Sequence, residues 1–362
     1  MKKHTKLQAI LKKSFHLQAQ RITAMTYFTL AVIKTRSVDY TQLSLAMNQD
    51  VEPASNLRRI QRLIDEVSLC DADKRVFVMQ GQKKVNVSFD RTEWDFGSVT
   101  NNLLTSAVEC GSLAVPVQII DLGKCGSSND DERIQAITDT LKVIPACAMN
   151  VFTADREFPS ERVLSFSVKQ KIPFSMRLKG NALIEHNKEV KTASEWFKGY
   201  KKRVLRNATV YGVLVNVCGR WLAKGRKRKG KAKHKAKPKN DFLIVVTTLE
   251  PLVGFDLYKS RWKVETLFGA LKTRGFNLEK TRVKISKHLE HLVLLLGIAL
   301  VWAVQTGVWV VSRGSVRVRR DGVRFLSVFR AGLDFLRGLL FRSLLEEGVW
   351  DDVVRVLSAG FV

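Results

Sequence analysis

The residues whose types and spacing carry most chemistry lie in Tyr258-Lys-Ser-Arg-Trp-Lys-Val-Glu-Thr-Leu-Phe-Gly-Ala-Leu-Lys272. On a helix turning 100° per residue, with Tyr258 at zero, Arg261 falls at about 300°, Glu265 at about 340° and Lys272 at about 320°. These four heads share a stripe about 60° wide. Leu257, Val264, Leu267, Phe268 and Leu271 fill the adjoining arc, the side that buries. One helix therefore offers a carboxylate among three phosphate-binding groups: a bidentate guanidinium, a flexible ammonium and a phenolic donor. A solvated i,i+4 pair accounts equally well for Arg261 and Glu265. It does not account for a single aligned acid set among cations. Two more carboxylates follow strand-like runs. Asp90 ends Val85-Asn-Val-Ser-Phe-Asp and precedes Arg91-Thr-Glu-Trp-Asp-Phe-Gly97; Asp155 ends Asn150-Val-Phe-Thr-Ala-Asp and precedes Arg156-Glu-Phe158. Alone, an Asp at a strand end caps a turn as readily as it binds a metal. Three carboxylates on two strands and one helix, converging at one sheet edge, form an oxygen set for two Mg²⁺ or Mn²⁺ ions about 3.5–4 Å apart. The chain offers no rival cluster of His and Cys.

Such a set needs a sheet to position it. Val85, Val87 and Phe89 alternate with Asn86, Ser88 and Asp90, which predicts a strand with one apolar face. Strands are expected at 97–108, 114–122, 150–155 and 174–178, with helices at 130–143 and 159–171; Pro145 ends the first of these helices. The result is a mixed α/β sheet with flanking helices. Residues 1–78 read as helical. Tyr40–Met47, a loop with Pro53, and Ser55–Ile64 bearing Arg58, Arg59 and Arg62 suit either a helix-turn-helix-like DNA reader or a helical cap with a basic face. Residues 181–249 turn to β-like pieces around a basic loop and look like an insertion. Residues 292–311 carry no charge, a length that spans a bilayer or forms a fully buried helix. The boundaries implied are an N-terminal helical domain at 1–78, a core at 79–180 and 250–312 split by the β-rich insertion at 181–249, and a C-terminal helical region at 313–362.

Composition narrows the partners. Of 362 residues, 45% are hydrophobic and 26% charged, which excludes wholesale disorder. Lys and Arg number 61 against 34 Asp and Glu, a formal charge of +27. Nucleic acid is the commonest polyanion such a body meets; a ribosome-like accessory protein and a membrane-surface protein are the plainer alternatives. Residues 219–240 hold eleven Lys/Arg and no acid, and without them +16 remains. That run is either a solvated loop or a non-specific phosphate contact, and it carries no sequence information. Five scattered cysteines with no C-x-x-C pair fit a reducing compartment. The N-terminus opens no apolar signal core, so a cytoplasmic protein is expected.

The spacing Tyr258-x2-Arg261-x3-Glu265-x6-Lys272 resembles the Y-R-E-K signature of insertion-sequence DDE transposases of the IS-four family. A four-residue match at fixed spacing arises by chance at about one in 10⁵ start points. Phe89–Gly97 and Ala154–Phe158 resemble that family's first and second acidic motifs, in the right order, and the similarity covers roughly residues 30–345. The resemblance implies an RNase H-like core whose catalytic and metal-binding triad is Asp90, Asp155 and Glu265, with two Mg²⁺ or Mn²⁺ ions. It implies a β-rich insertion between the second and third acids, and phosphates of the transposon end held by Tyr258, Arg261 and Lys272. Its partners would be double-stranded DNA, both transposon ends and target, bound by a homodimer. Residues 292–311 would be a core helix, with no membrane association. The eleven-cation loop departs from the family pattern. Trp196 and Trp221 are candidates for trapping a flipped base or are simply packed. A regulatory DNA-binding relative without catalysis, and a metal-dependent nuclease on the same fold, are the alternatives.

Overall fold

Apolar spacing in the N-terminal part produces five helices, α1 (Lys3–Ser14), α2 (Ala19–Thr35), α3 (Tyr40–Ala46), α4 (Pro53–Glu66) and α5 (Asp71–Met79). The computed structural model describes residues 3–79, 81–96, 99–221, 242–315, 317–318, 320, 322, 324–341 and 347–358. α3 and α4 form the expected helix pair. Asp39 caps α3 by accepting the Gln42 N–H, and Pro53 opens α4, where its missing donor costs nothing. The buried Asn56 amide donates to the carbonyls of Ser44, Asn48 and Val51, which fixes the turn between them.

β1 (Val85–Phe96) is the strand around which the sheet is laid out. Val85, Val87 and Phe89 are buried as their alternation predicts, and Ser88 on the other face is buried too. The strand is thus covered on both sides, as a central strand must be. β2 (Val99–Cys110) pairs antiparallel with β1, and β3 (Leu113–Asp121) with β2. α6 (Asp130–Val143) starts at a capping box between Asn129 and Glu132 and carries the chain across to β4 (Met149–Ala154), parallel to β1. α7 (Glu161–Lys169) makes the next crossover, to β5 (Phe174–Arg177), parallel to β4.

The stretch expected as an insertion forms β6 (Leu183–His186), β7 (Glu189–Thr192), α8 (Ala193–Phe197), β8 (Lys202–Val210), β9 (Val213–Trp221) and β10 (Phe242–Thr247). Its strands do not stand apart from the core sheet. β10 pairs antiparallel with β5, and among the described residues one ten-stranded sheet runs β3-β2-β1-β4-β5-β10-β9-β8-β6-β7. Val245 and Val246, on opposite faces of β10, are both fully buried, so β10 is an interior strand closing the edge that β5 would otherwise expose. Most of the basic run, residues 222–241, lies outside the described residues.

Helices then cover the sheet. α9 (Pro251–Tyr258) continues through a 3₁₀ turn at Lys259–Arg261 into α10 (Trp262–Leu271); α11 (Ser286–Ser312), α12 (Val328–Phe341) and α13 (Glu347–Ser358) follow. α11 is the uncharged run. It is long and apolar enough to cross a membrane, but 83% of its most apolar window is buried inside the protein. It packs on β3, α2 and α12, and the Trp302 indole donates to the Val353 carbonyl of α13.

Candidate active site

Parallel register assembles the first part of the site. Phe89 pairs with Ala154 across β1 and β4, and Ala154 with Met176 across β4 and β5. The next residue on each strand therefore falls in one row: Asp90, Asp155 and Arg177, one strand spacing of about 4.8 Å apart. Arg177 Nη1 lies 3.7 Å from Asp155 Oδ1. Beneath the row, Phe89 stacks on Phe152 and Phe158 with ring centroids 5.5 and 5.0 Å apart. Phe158 is held in the turn after Asp155 by its backbone bond to the Asp155 carbonyl. The apolar half of the β1 alternation thus packs beneath the positions of β1 and β4 that the two acids follow.

The helical segment supplies the rest. The sequence predicts one α-helix from Tyr258 to Lys272; instead a 3₁₀ turn interrupts it at Lys259–Arg261, and α10 ends at Leu271. In a 3₁₀ turn side chains at i and i+3 eclipse. Tyr258 and Arg261 are consequently stacked, Arg261 Cζ lying 5.9 Å from the Tyr258 ring centre. The buried Tyr258 hydroxyl donates to Asp155 Oδ1 at 3.4 Å. Arg261 donates from Nη1 to Asp90 Oδ2 at 2.8 Å and from Nη2 to Glu265 Oε1 at 2.5 Å. Arg261 thus bridges Asp90 and Glu265, while Asp155 is held separately by Tyr258 and Arg177. Lys272 stands aside. Its ammonium donates to the Glu93 carbonyl at 3.3 Å, pairs with Glu279 at 3.0 Å and lies 5.2 Å from the Trp94 ring centre.

The electrostatics follow from burial. The Asp90 carboxyl is pushed up to about 6: burial raises it most, Arg261 and the Arg91 N–H pull against that, and the negative charges of Asp155 and Glu265 add to the rise. Burial also raises the Tyr258 hydroxyl well above its ordinary value, so it stays a donor. Arg261 is disfavoured by burial, but Tyr258, Asp90, Glu265 and Asp155 together more than reverse this and keep it charged.

Carboxylate oxygens are the donors hard divalent ions prefer, and in that respect Asp90, Asp155 and Glu265 fit Mg²⁺ or Mn²⁺. Yet among the described residues no three acid, His or Cys side chains are gathered as a ready cation site. Arg261 lies between Asp90 and Glu265 and supplies the positive charge there, so an ion shared by these acids requires the guanidinium to withdraw.

Several residues join the cluster unannounced by sequence. Arg177 is one; its only signal is that it follows Met176, the last residue of β5 paired with β4, which is visible once the parallel register is known. Arg91 is another. Its guanidinium reaches Glu157 at 3.4 Å, Glu93 at 2.6 Å and Asn102 at 3.1 Å, tying the residue after Asp90 to the turn after Asp155. Arg58, Arg59 and Arg62 sit on α4 in the N-terminal layer, not in the acid cluster; Arg58 and Arg62 are exposed and Arg59 is half-buried. Trp196 is buried, donates to the Ile184 carbonyl and lies against Arg203, so it is packed. Trp221 is 37% exposed and edge-on to Phe242.

No curated protein matches the chain. The transposase DDE domain family matches residues 116–302. That stretch begins beyond Asp90 and takes in Asp155, Tyr258, Arg261, Glu265 and Lys272. Since it runs from within β3 to the middle of α11 and spans more than half of the sequence, this chain belongs to the transposase DDE domain family.

Proposed function

We propose that the chain is an insertion-sequence transposase of the IS-four type, which binds the element's terminal repeats as a homodimer and catalyses strand cleavage and strand transfer. The observation that carries this reading is that Asp90 and Asp155 directly follow Phe89 and Ala154, the last residues paired between the adjacent parallel strands β1 and β4, with Glu265 joined to Asp90 through Arg261. The order β3-β2-β1-β4-β5, antiparallel then parallel, is that expected of an RNase H-like core and supports it. Asp90, Asp155 and Glu265 would hold Mg²⁺ or Mn²⁺. When bound, such ions lower the pKa of an attacking water or hydroxyl and stabilise the oxygen that leaves. The protein's own groups orient and neutralise. Arg261 exchanges its carboxylate partners for a DNA phosphate, which its planar fork suits. Tyr258 and Arg177 fix the Asp155 carboxylate on the opposite side. Lys272 adds a point charge beside β1.

Incubating the protein with duplexes that end in the element's termini, in Mg²⁺, tests this. Breaks mapped to the element's ends and joined strand-transfer products are expected. Asp90→Asn, Asp155→Asn and Glu265→Gln should each abolish cleavage while duplex binding persists. Cleavage at the ends by any of these variants removes that residue from the site, and cleavage with no joined product makes the chain a nuclease.

A further inference from the structure

Beyond Lys272 the chain carries cations that the acid cluster does not use. Between the 3₁₀ turn at Leu278–Lys280 and α11, the backbone is extended at Thr281 (φ −66, ψ 141) and at Ile285 (φ −88, ψ 118). Exposure alternates over the first four residues of this link: Thr281 is buried and Val283 half-buried, while Arg282 and Lys284 are exposed, as is Ile285 after them. Opposite stands α4, with Arg62 exposed. A cleft of about 800 Å³ separates the two, floored by Val38 and Val283 and rimmed by Arg62, Arg282 and Lys284. Its acids are already engaged. Asp39 accepts the Gln42 N–H at the start of α3, and Asp65 lies 2.9 Å from His288. Among the described residues no carboxylate pairs with Arg62, Arg282 or Lys284. A rim of uncommitted positive charge over a partly apolar floor is a surface that lacks an anion.

We propose that this cleft is a backbone-binding channel for double-stranded DNA, in which Arg282 and Lys284 hold phosphates of the duplex beyond the point where the acids act. The proposal rests on the DNA reading above and extends it to residues outside the signature. Spacing supports it. Extended backbone advances about 3.3 Å per residue, so Arg282 and Lys284 stand about 6.6 Å apart along the chain. Phosphates of one strand advance about 3.4 Å along the duplex axis but also turn around it, so that interval is of the order of the distance between neighbouring phosphates. The link follows Lys272, beside β1, in the chain, and Arg36 of the N-terminal layer donates to the Arg274 carbonyl between them. Its contacts are to backbone only, so it grips any sequence.

The test is the salt dependence of binding by the full chain to a duplex unrelated to the element, measured in chelator. Each lost phosphate contact lowers the slope of log K against log salt by about 0.9, so Arg282→Gln/Lys284→Gln should flatten it by about 1.8. Affinity should fall by the same factor for every sequence tried. Lys169→Gln/Lys188→Gln, two exposed lysines on other elements, should keep the wild-type slope. An unchanged slope in the first variant, or an equal change in the second, overturns the channel. Binding without metal is independent of strand cleavage. An unchanged slope beside normal end cleavage therefore sinks the channel alone, and the expected slope in a chain that never cleaves sinks the enzyme reading alone.

Discussion

Arg261 is the residue on which the cluster turns. Its side chain is 11% exposed and bonded to one carboxylate that is 15% exposed and another that is 35% exposed. Opposite charges about 4 Å apart near a protein surface attract by about 4 kcal/mol, yet burial remains the larger influence on Asp90 and pushes its carboxyl up despite Arg261. The same charge excludes a cation from the oxygens it binds. Arg261→Gln should therefore have two effects on the metal-free protein. Stability in chelator should fall by about 1–3 kcal/mol, less than for breaking a fully buried pair because Glu265 is partly solvated. Mn²⁺ affinity, read by electron paramagnetic resonance titration without DNA, should rise about tenfold, or about 1.4 kcal/mol, and added Mg²⁺ should restore the melting temperature. Unchanged Mn²⁺ affinity would show that the arginine does not compete with the ion. The spacing of Tyr258, Arg261 and Glu265 makes their grouping on one side legible in the sequence, although the single helix it predicts is broken by the 3₁₀ turn at Lys259–Arg261. Arg177 is invisible there. Its place beside Asp155 depends on how three strands align, which no local pattern encodes.

At the scale of elements, periodicity locates nearly every strand and helix of the core, and α6 matches its expected span of residues 130–143. What periodicity does not supply is partnership. Residues 181–249 are β-like in sequence, yet nothing in them says that β10 lies against β5 rather than in a separate sheet; that pairing is between Thr247 and Ser175, far apart in the chain. The uncharged run is likewise ambiguous until its neighbours are known. Inside it, Gly307 marks where α12 crosses. A Cβ on Gly307 would run into the Val328 carbonyl, and one on Gly332 into the Ala303 carbonyl and the Gly307 nitrogen. The backbones of α11 and α12 meet there with no side chain between, and a methyl group must push two packed helices apart. Gly332→Ala should thus destabilise the protein by about 1–3 kcal/mol or more, measured by urea unfolding. Gly338→Ala on the same helix, where nothing lies within 4 Å of the added carbon, should stabilise slightly through its higher helix propensity. Equal effects at the two glycines would mean that the helices have room to separate at the crossing.

The whole molecule is joined along a seam where the N-terminal helices meet α11, and that seam contains a titratable group. His291 of α11 shares a hydrogen bond at 2.7 Å with the Ile64 carbonyl of α4, and His288, one turn earlier, lies 2.9 Å from Asp65. Burial lowers the His291 pKa from its ordinary 6.5; the Ile64 carbonyl opposes the shift, and Lys287, His288 and Lys74 reinforce it. The sign then follows from linkage. As pH falls through 6.5 the unfolded chain takes up a proton that the folded chain resists, so the unfolded state binds more protons and stability drops. The contribution of His291 is fully present above about pH 6.5 and declines progressively below it. Glu290, next along the helix, acts the other way, because burial raises its carboxyl and protonation at low pH favours the folded form. The two are separated by subtraction. Urea midpoints measured between about pH 5 and 7.5, wild type minus His291→Asn, should be level above about pH 6.5 and shrink below it; Asn retains an N–H donor for the Ile64 carbonyl but cannot titrate. A difference independent of pH would mean that the imidazole protonates in the folded protein as freely as in the unfolded one.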